Sequence, residues 1–356
     1  MRYVTIIIEE NKTQKNGKIG KRGGAVMKIR DILVQNVTAF HRMQLTFTDG
    51  IHVFLGENGS GKTHLLKMMY ACCAMHGRGP QYPGRAEEVM ELVFAVQGQR
   101  LIRDEQGEQP YVELSYVDGS HLCYRLGRKP EFTGEKGRIP CVLIPVQEML
   151  SHSEGFIALY EKYNLPFDQT YYDILLQAQL PPTRQETQLF RRIDGILHDI
   201  IGGIVVYEND TFYMQKINGK KIQFILEAEG LRKFGLLWKL LRAGAIDTGT
   251  ILFWDEPEAN INPELMPALA NILMELQRGG VQIFLATHHY NLIRYLDVIR
   301  NKTDSVKFYN FYQEQGEIAC ETSERYQGLQ RNPIDRADKA LYETVIQKAL
   351  EEMQDE

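Results

Sequence analysis

Residues 51–63 read IHVFLGENGSGKT, and this stretch decides the fold of the chain. An apolar run ends at a glycine-rich loop with the spacing G-x-x-x-x-G-K-T, and apolar residues at helical spacing follow it. In a strand–loop–helix of this kind the glycines let the backbone wrap a phosphate, while exposed N–H groups and the helix dipole attract the anion. The stretch therefore predicts binding of a nucleoside triphosphate. The predicted contacts are Gly56, Glu57, Asn58, Gly59, Ser60, Gly61, Lys62, Thr63 and His64.

Lys62 and Thr63 have separate predicted roles within this loop. The Lys62 ammonium is expected to bridge the terminal phosphates, and the Thr63 hydroxyl is expected to ligate Mg²⁺.

Composition limits the class of protein. The chain has 356 residues, 44% of them apolar and 24% charged, as in an ordinary globular protein of one large domain or two. It has no apolar run of about 18 residues and no signal-peptide pattern, so we expect a cytoplasmic protein without a membrane partner. The five cysteines form no C-x-x-C pair, which argues against a zinc site. A net charge of −5 gives no general attraction to nucleic acid, so any contact with DNA requires a local patch.

Residues 1–26 differ in composition from the rest and hold six basic and two acidic residues. Gly23-Gly24 can be encoded by a bacterial ribosome-binding sequence placed before Met27. One hypothesis is that Met27 is the start and that 1–26 is translated upstream sequence. The alternative is a genuine basic, disordered arm.

The pattern of apolar residues predicts strands and helices in alternation. Residues 88–127 alternate and carry turn signals, which predicts antiparallel strands. The region 146–200 is predicted to be mostly helical, with a capping box at Thr183 and Glu186 before its last helix. Strands are expected at 203–207, 211–216 and 221–227, and a long helix at about 229–243. A final helix is signalled by Asn332-Pro333, with the apolar stripe Ile334, Ala337, Leu341 and Val345.

Two further motifs carry chemistry. The segment 250–257, TILFWDEP, predicts a buried strand that ends in two carboxylates. Asp255 is expected to hold the metal, and Glu256 to polarise the attacking water. The segment 284–289, FLATHH, places His288 just beyond another strand, where it could contact the γ-phosphate as a switch.

Together these motifs resemble the ATP-binding-cassette (ABC) ATPases, specifically the soluble branch with SMC, RecF and OLD-type ATPases. The resemblance implies an α/β P-loop NTPase fold, an ABC-ATPase head with a mixed central sheet, an antiparallel β subdomain and a helical lobe. It also implies ATP and Mg²⁺ as ligands and ATP hydrolysis, with Glu256, His288 and Lys62 as catalytic residues. One composite domain is expected, with a phosphate-loop lobe at 27–145, a helical lobe and signature helix at 146–245, and the acidic motif, switch histidine and last helices at 246–356.

The chain departs from the family pattern at several positions. The signature, usually Ser-x-Gly at the start of a helix, corresponds to Ala228-Glu229-Gly230, and Ala228 lacks the hydroxyl that would reach a partner's phosphate. Gly230 and Arg232 could still bind the nucleotide of the partner. The glutamine that approaches the metal would be Gln147, although Glu148 competes for this assignment. Asn262 stands where the family usually has a histidine.

The resemblance implies a homodimer or higher oligomer that holds two ATP molecules between head-to-tail copies. The segments 144–150, 154–156 and 170–173 are similar to short standalone members of bacterial anti-phage systems, which implies a regulator of a separately encoded nuclease or toxin. The alternative is a DNA-repair or chromosome-maintenance ATPase, although the residues between the two ATPase motifs hold no long coiled coil or DNA-binding arm. A transporter subunit fits less well, because Ala228 and the segment 27–40 differ from that class.

Overall fold

The computed structural model describes residues 27–76, 86–134, 139–163 and 165–355. The predicted leader, 1–26, lies outside these ranges. Within them the strands are β1 (Ile29–Val37), β2 (Phe40–Thr46), β3 (Ile51–Gly56), β4 (Tyr111–Tyr116), β5 (His121–Arg125), β6 (Glu131–Thr133), β7 (Cys141–Ile144), β8 (Gly203–Glu208), β9 (Thr211–Lys216), β10 (Lys221–Gln223), β11 (Ile251–Asp255), β12 (Gln282–Ala286), β13 (Val306–Glu314) and β14 (Glu317–Ser323). The α-helices are α1 (Lys62–His76), α2 (Val89–Phe94), α3 (Phe156–Lys162), α4 (Gln169–Gln179), α5 (Gln188–Ile201), α6 (Glu229–Arg242), α7 (Met266–Arg278), α8 (Tyr290–Ile299) and α9 (Pro333–Asp355).

The central sheet has six strands in the order β14-β13-β3-β12-β11-β7. Five of them run parallel, and β14 pairs antiparallel with β13 at the edge. Asp255 pairs in register with Ala286, and Ala286 with Phe54. The carboxyl ends of β3, β11 and β12 therefore meet at one edge of the sheet, which is where parallel sheets bind ligands.

A second sheet is antiparallel and has the order β2-β1-β4-β5-β6. Helix α1 lies between the two sheets, and its apolar residues are buried on all sides, as expected for a helix without a polar face. The Gln282 side chain joins the sheets directly: its carbonyl accepts from Ile29 N–H at 2.8 Å, and its amide donates to Ile29 O at 2.8 Å. The sheet that carries the phosphate loop is thereby tied to the antiparallel sheet on this face.

The opposite face of the central sheet is covered by helices. Helices α4 to α8 bury their apolar faces there, and the small antiparallel sheet β10-β9-β8 packs beside α6. Phe190, Ile193 and Leu197 of α5 belong to this core, as do Phe234 and Leu237 of α6. The predicted α/β architecture, with a mixed central sheet, an antiparallel β subdomain and a helical lobe, is confirmed.

Some local predictions are wrong. Residues 89–94 form a helix rather than a strand, because Val89, Met90 and Val93 recur at helical spacing and are buried against the core. Helix α5 is capped by Thr187, whose side chain accepts a hydrogen bond from Phe190 N–H. The capping box predicted at Thr183 therefore does not form. The strand predicted at 221–227 ends at Gln223 and continues as a 3₁₀ turn.

The final helix forms at the predicted place, and Ile334 of the predicted stripe packs against the core, but Leu341 and Val345 do not. Leu341 is 65% exposed and Val345 is 57% exposed. The helical spacing of the apolar residues correctly predicts the helix. It does not predict whether this face of the helix is buried.

Candidate active site

The glycine loop connects the end of β3 to the start of α1. The Lys62 ammonium donates to the carbonyl oxygens of Gly56 at 3.0 Å and Glu57 at 2.8 Å, and to Ser60 Oγ at 3.3 Å. These contacts keep the cation at the centre of the loop, and burial lowers the pKa of Lys62. Gly61 has φ +85°, and a Cβ there would lie 2.6 Å from the Phe40 ring, so the loop conformation requires glycine.

Thr63 and Asp255 come together across the sheet edge. The Thr63 hydroxyl donates to Asp255 Oδ2 at 2.8 Å, although the two residues are 192 positions apart in the sequence. Burial raises the pKa of Asp255 to about 6, and the hydrogen bond from Thr63 opposes that change. The carboxylate is therefore costly to ionise where it stands, and a cation beside it would favour the ionised form.

Glu256 and His288 form the second polar pair of the edge. The His288 Nδ1 atom lies 3.0 Å from Glu256 Oε1, and both side chains remain partly exposed. Glu256 has φ +45°, a left-handed conformation that is uncommon for a residue with a Cβ. Its N–H donates to Ala286 O at 2.8 Å, so the backbone still pairs with the end of β12.

A buried contact fixes the segment that carries His288. The Thr287 hydroxyl donates to Glu258 Oε1 at 2.6 Å, and Thr287 Oγ1 accepts from His289 N–H at 3.0 Å. Both Thr287 and Glu258 are buried, and burial raises the pKa of Glu258. The two segments that follow β11 and β12 are thus joined beneath the Glu256–His288 pair.

The predicted signature residues begin helix α6. Gly230 packs against the backbone of the segment after Asp255, since a Cβ there would lie 2.8 Å from Asn260 O. Arg232 pairs within its own chain with the buried Glu148, at 3.5 Å. Glu148 also accepts from Ser151 N–H at 3.3 Å, while the neighbouring Gln147 is exposed. The helix start is therefore tied to the segment after β7.

A cavity of about 250 Å³ opens beside the Thr63–Asp255 pair. Its walls include Val146 and the ion pair between Lys67 and Asp168, whose charged atoms are 2.6 Å apart. Gln147 follows Val146 directly, so its backbone lies next to this cavity. The His64 ring does not face the cavity but packs edge-on against Phe94, with the ring centroids 5.5 Å apart.

The residues at the sheet edge fit a magnesium nucleotide. A hydroxyl and a carboxylate 2.8 Å apart are oxygen donors of the type that Mg²⁺ prefers. A Cβ added at Gly59 would meet nothing within 4 Å, so the outer side of the loop is open to a phosphate. The individual site roles stay predictions.

Sequence reasoning missed three contributors to this site. Glu258 lies three residues after Asp255, and its burial was not foreseen. The Lys67–Asp168 pair joins residues 101 positions apart, which no local pattern indicates. Lys233 is buried on α6 and donates to Glu256 O at 3.1 Å. The sequence does hold one sign of this burial: Lys233 lies on the same helix face as Leu237 and Leu240, where an apolar residue is expected.

Replacing Asp255 by Asn should stabilise the metal-free protein. Because the pKa of Asp255 is raised from 3.8 to about 6, the folded state binds more protons than the unfolded state between these values, and stability falls as the pH rises through them. A pKa change of this size corresponds to about 3 kcal/mol, a cost that an uncharged Asn avoids. In EDTA the variant should melt at a higher temperature than the wild type at pH 8, and the difference should vanish near pH 4.

The exposed Asp49 gives the control, because Asp49→Asn should change the melting temperature little at either pH. A lower melting temperature for Asp255→Asn at pH 8 would contradict this reading of the site.

Comparisons of the sequence find similar proteins. Residues 152–294 match the family described as "AAA domain, putative AbiEii toxin, Type IV TA system". The "DNA replication and repair protein RecF" of Cytophaga hutchinsonii is 23% identical over 200 residues, which are 55% of this chain and 52% of that protein. The protein of the same description from Porphyromonas gingivalis is 26% identical over 184 residues, 49% of each chain. The matched region thus spans about half the length of these curated relatives.

A solved structure supports the fold. The SMC head bound to the C-winged helix domain of ScpA superposes with a TM-score of 0.53 at 11% identity, over 84% of this chain and 98% of that chain. Among the described residues, no helix combines the length and the apolar character needed to cross a membrane.

The phosphate loop, the carboxylates at the end of β11 and these relatives point the same way. The chain is similar to the ABC-type P-loop ATPases of the SMC/RecF branch.

Proposed function

We propose that the protein binds Mg-ATP at residues 56–64 and hydrolyses it to ADP and phosphate. The observation that carries the proposal is the meeting of Thr63, Asp255 and the Glu256–His288 pair at one edge of the central sheet. The loop supplies the phosphate site, and the two carboxylates supply a metal ligand and a base. Enzymes of this type need these groups together, and a phosphate loop without them would only bind.

Each residue of the edge has one task in the proposed reaction. Glu256 takes a proton from water as the water oxygen bonds to the γ-phosphorus and the bond from that phosphorus to the β–γ bridging oxygen breaks. His288 contacts the Glu256 carboxylate and faces the γ-phosphate. Lys62 stabilises negative charge on the terminal phosphates. Mg²⁺, held by Thr63 and Asp255 and approached by Gln147, supplies further charge neutralisation when bound.

The active form in this proposal is a head-to-tail homodimer. The start of α6 contributes the Gly230 amide and the Arg232 side chain to the nucleotide held by a second copy. Arg232 pairs with Glu148 in its own chain, so it has to exchange that contact for a phosphate when the copies close. The absence of a hydroxyl at Ala228 weakens this half of the site, and the backbone and Arg232 compensate.

For the biological role, we infer a regulatory ATPase of a bacterial anti-phage system that controls a separately encoded nuclease or toxin. The family description supports this role, because it refers to the AbiEii toxin and a Type IV TA system. A role in DNA repair is the second candidate, and it is supported equally by the curated relatives, which are described as DNA replication and repair proteins. Under either role the protein acts in the cytoplasm.

The biochemical proposal predicts a rate that depends on protein concentration. Purified protein should release phosphate from ATP with Mg²⁺ and not with EDTA. Because two copies complete each site, the rate per chain should rise with protein concentration until the dimer is saturated. A Mg²⁺-dependent rate per chain that stays constant down to nanomolar protein would contradict the dimer, and no phosphate release at any concentration would contradict the ATPase.

The two biological roles predict different phenotypes when the locus is deleted from the native host. Deletion of the locus should increase the plating efficiency of phage if the protein serves defence, and should leave survival after DNA damage unchanged. The DNA-repair role predicts the reverse, together with an ATPase rate that rises when DNA is added.

A further inference from the structure

We propose that Lys233 is a positioning residue for Glu256: its buried ammonium holds the backbone of the glutamate in the conformation that aims the carboxylate at the attacking water. This inference rests on the proposed ATPase function and adds a residue to it. Lys233 is 2% exposed, and its Nζ donates to Glu256 O at 3.1 Å.

The first support is the conformation of Glu256 itself. Its φ of +45° is costly for a residue with a Cβ, of the order of 1 kcal/mol or more, and persists only where the surroundings hold it. The Glu256 carbonyl accepts two hydrogen bonds, one from Ala259 N–H at 3.1 Å within the following turn and one from Lys233. The turn contact is local, whereas the lysine ties the strained residue to a helix of another part of the fold.

The second support is how firmly Lys233 is placed. One turn earlier on the same helix, Gly230 packs against the backbone of Asn260 and Ile261 so closely that a Cβ would clash. Helix α6 therefore contacts the segment after β11 at two points, one at Gly230 and one at Lys233. A shift of α6 would carry the Glu256 backbone with it, because both contacts would move together.

The third support is the cost of burying this lysine. Burial lowers the pKa of Lys233, while the neighbouring carboxylates Glu258, Glu229, Glu256 and Asp255 favour its charged form. An apolar residue at this point of α6 would fill the same space without that cost. A buried ammonium aimed at a catalytic backbone is therefore better explained by positioning than by packing.

The chain contains a matched control on the same helix. Lys239 is also buried, and burial lowers its pKa as well. Its Nζ also donates to one backbone carbonyl at 3.1 Å, that of Leu180, which lies outside the sheet edge. Lys233 and Lys239 thus share their burial and a single backbone contact, and they differ in which backbone they hold and in their charged neighbours, carboxylates for Lys233 and Arg242 for Lys239.

The experiment compares Lys233→Met with Lys239→Met in the full chain. Lys233→Met should lower kcat for ATP by about ten- to a hundredfold, because small misplacements of a catalytic group have effects of this size, while KM for ATP changes less than about twofold. Lys239→Met should leave both constants near the wild type. Thermal unfolding of both variants shows whether they lose similar stability. If Lys233→Met does not fold, Lys233→Gln carries the same expectation, since its side chain is shorter and uncharged.

A second measurement separates positioning from a general loss of structure. In single-turnover assays in the Glu256→Gln background, adding Lys233→Met should change the residual rate by less than about twofold, because the lysine acts through the carboxylate that is already gone. An independent drop of tenfold or more would overturn the proposal, as would equal kcat losses in Lys233→Met and Lys239→Met. If the Glu256→Gln variant hydrolyses ATP at the wild-type rate, the proposed function itself is wrong. The two failures are therefore distinguishable.

Discussion

Replacing Glu256 by Gln should reduce steady-state ATP hydrolysis by about a hundredfold or more, because it removes the base while keeping the size and most hydrogen bonds of the side chain. The carboxylate lies 3.0 Å from His288 Nδ1 and next to the Thr63–Asp255 pair, where a water attacking the γ-phosphate would stand. Binding of ATP should persist, since Lys62 and the loop backbone are untouched. Phosphate release and binding of a fluorescent ATP analogue measure the two effects separately.

The control for this variant is Glu264→Gln, which changes an exposed carboxylate a few residues further along the chain. It should leave the rate unchanged. If Glu256→Gln hydrolyses ATP at the wild-type rate, the base lies elsewhere and the proposed reaction is wrong.

Replacing Lys62 by Ala should weaken ATP binding by about a hundredfold or more, because a hydrogen bond to a charged group contributes about 1.5–3 kcal/mol and this ammonium makes several. In the structure the ammonium already donates within the loop, to Gly56 O, Glu57 O and Ser60 Oγ. We therefore expect binding and hydrolysis to be lost together. Equilibrium titration with the ATP analogue measures the change.

Loss of this half-buried lysine also removes its contacts within the loop, so circular dichroism of the variant is needed beside the titration. Lys302→Ala, at an exposed position, should bind ATP as the wild type does. Unchanged ATP affinity in a folded Lys62→Ala protein would show that the glycine loop does not hold the phosphates.

The parts of the site that could be predicted are those in which local sequence has a direct chemical meaning. The spacing of Gly56, Gly61 and Lys62 restricts the backbone to one loop, and an apolar run that ends in Asp255 and Glu256 indicates a buried strand with carboxylates at its end. Parallel pairing then brings Thr63 and Asp255 to one edge without further information, as their 2.8 Å contact illustrates.

The parts that could not be predicted depend on contacts between distant segments. Glu148 and Arg232 are far apart in the sequence, and only the packing of α6 against the segment after β7 makes them an ion pair. The contact of Lys233 with Glu256 could not be predicted either, because the sequence does not state which backbone carbonyl lies within reach of the lysine. Residues 89–94 show the same limit on a smaller scale, since burial against the core decided between helix and strand.

The central claim is that two copies close around ATP and hydrolyse it, and the molar mass of the Glu256→Gln protein tests it most directly. Size-exclusion chromatography with light scattering should show one chain in the absence of nucleotide and with Mg-ADP, and two chains with Mg-ATP, because ATP that is bound but not hydrolysed keeps the copies together. A Glu256→Gln protein that is saturated with Mg-ATP and still has the mass of a single chain would contradict the claim.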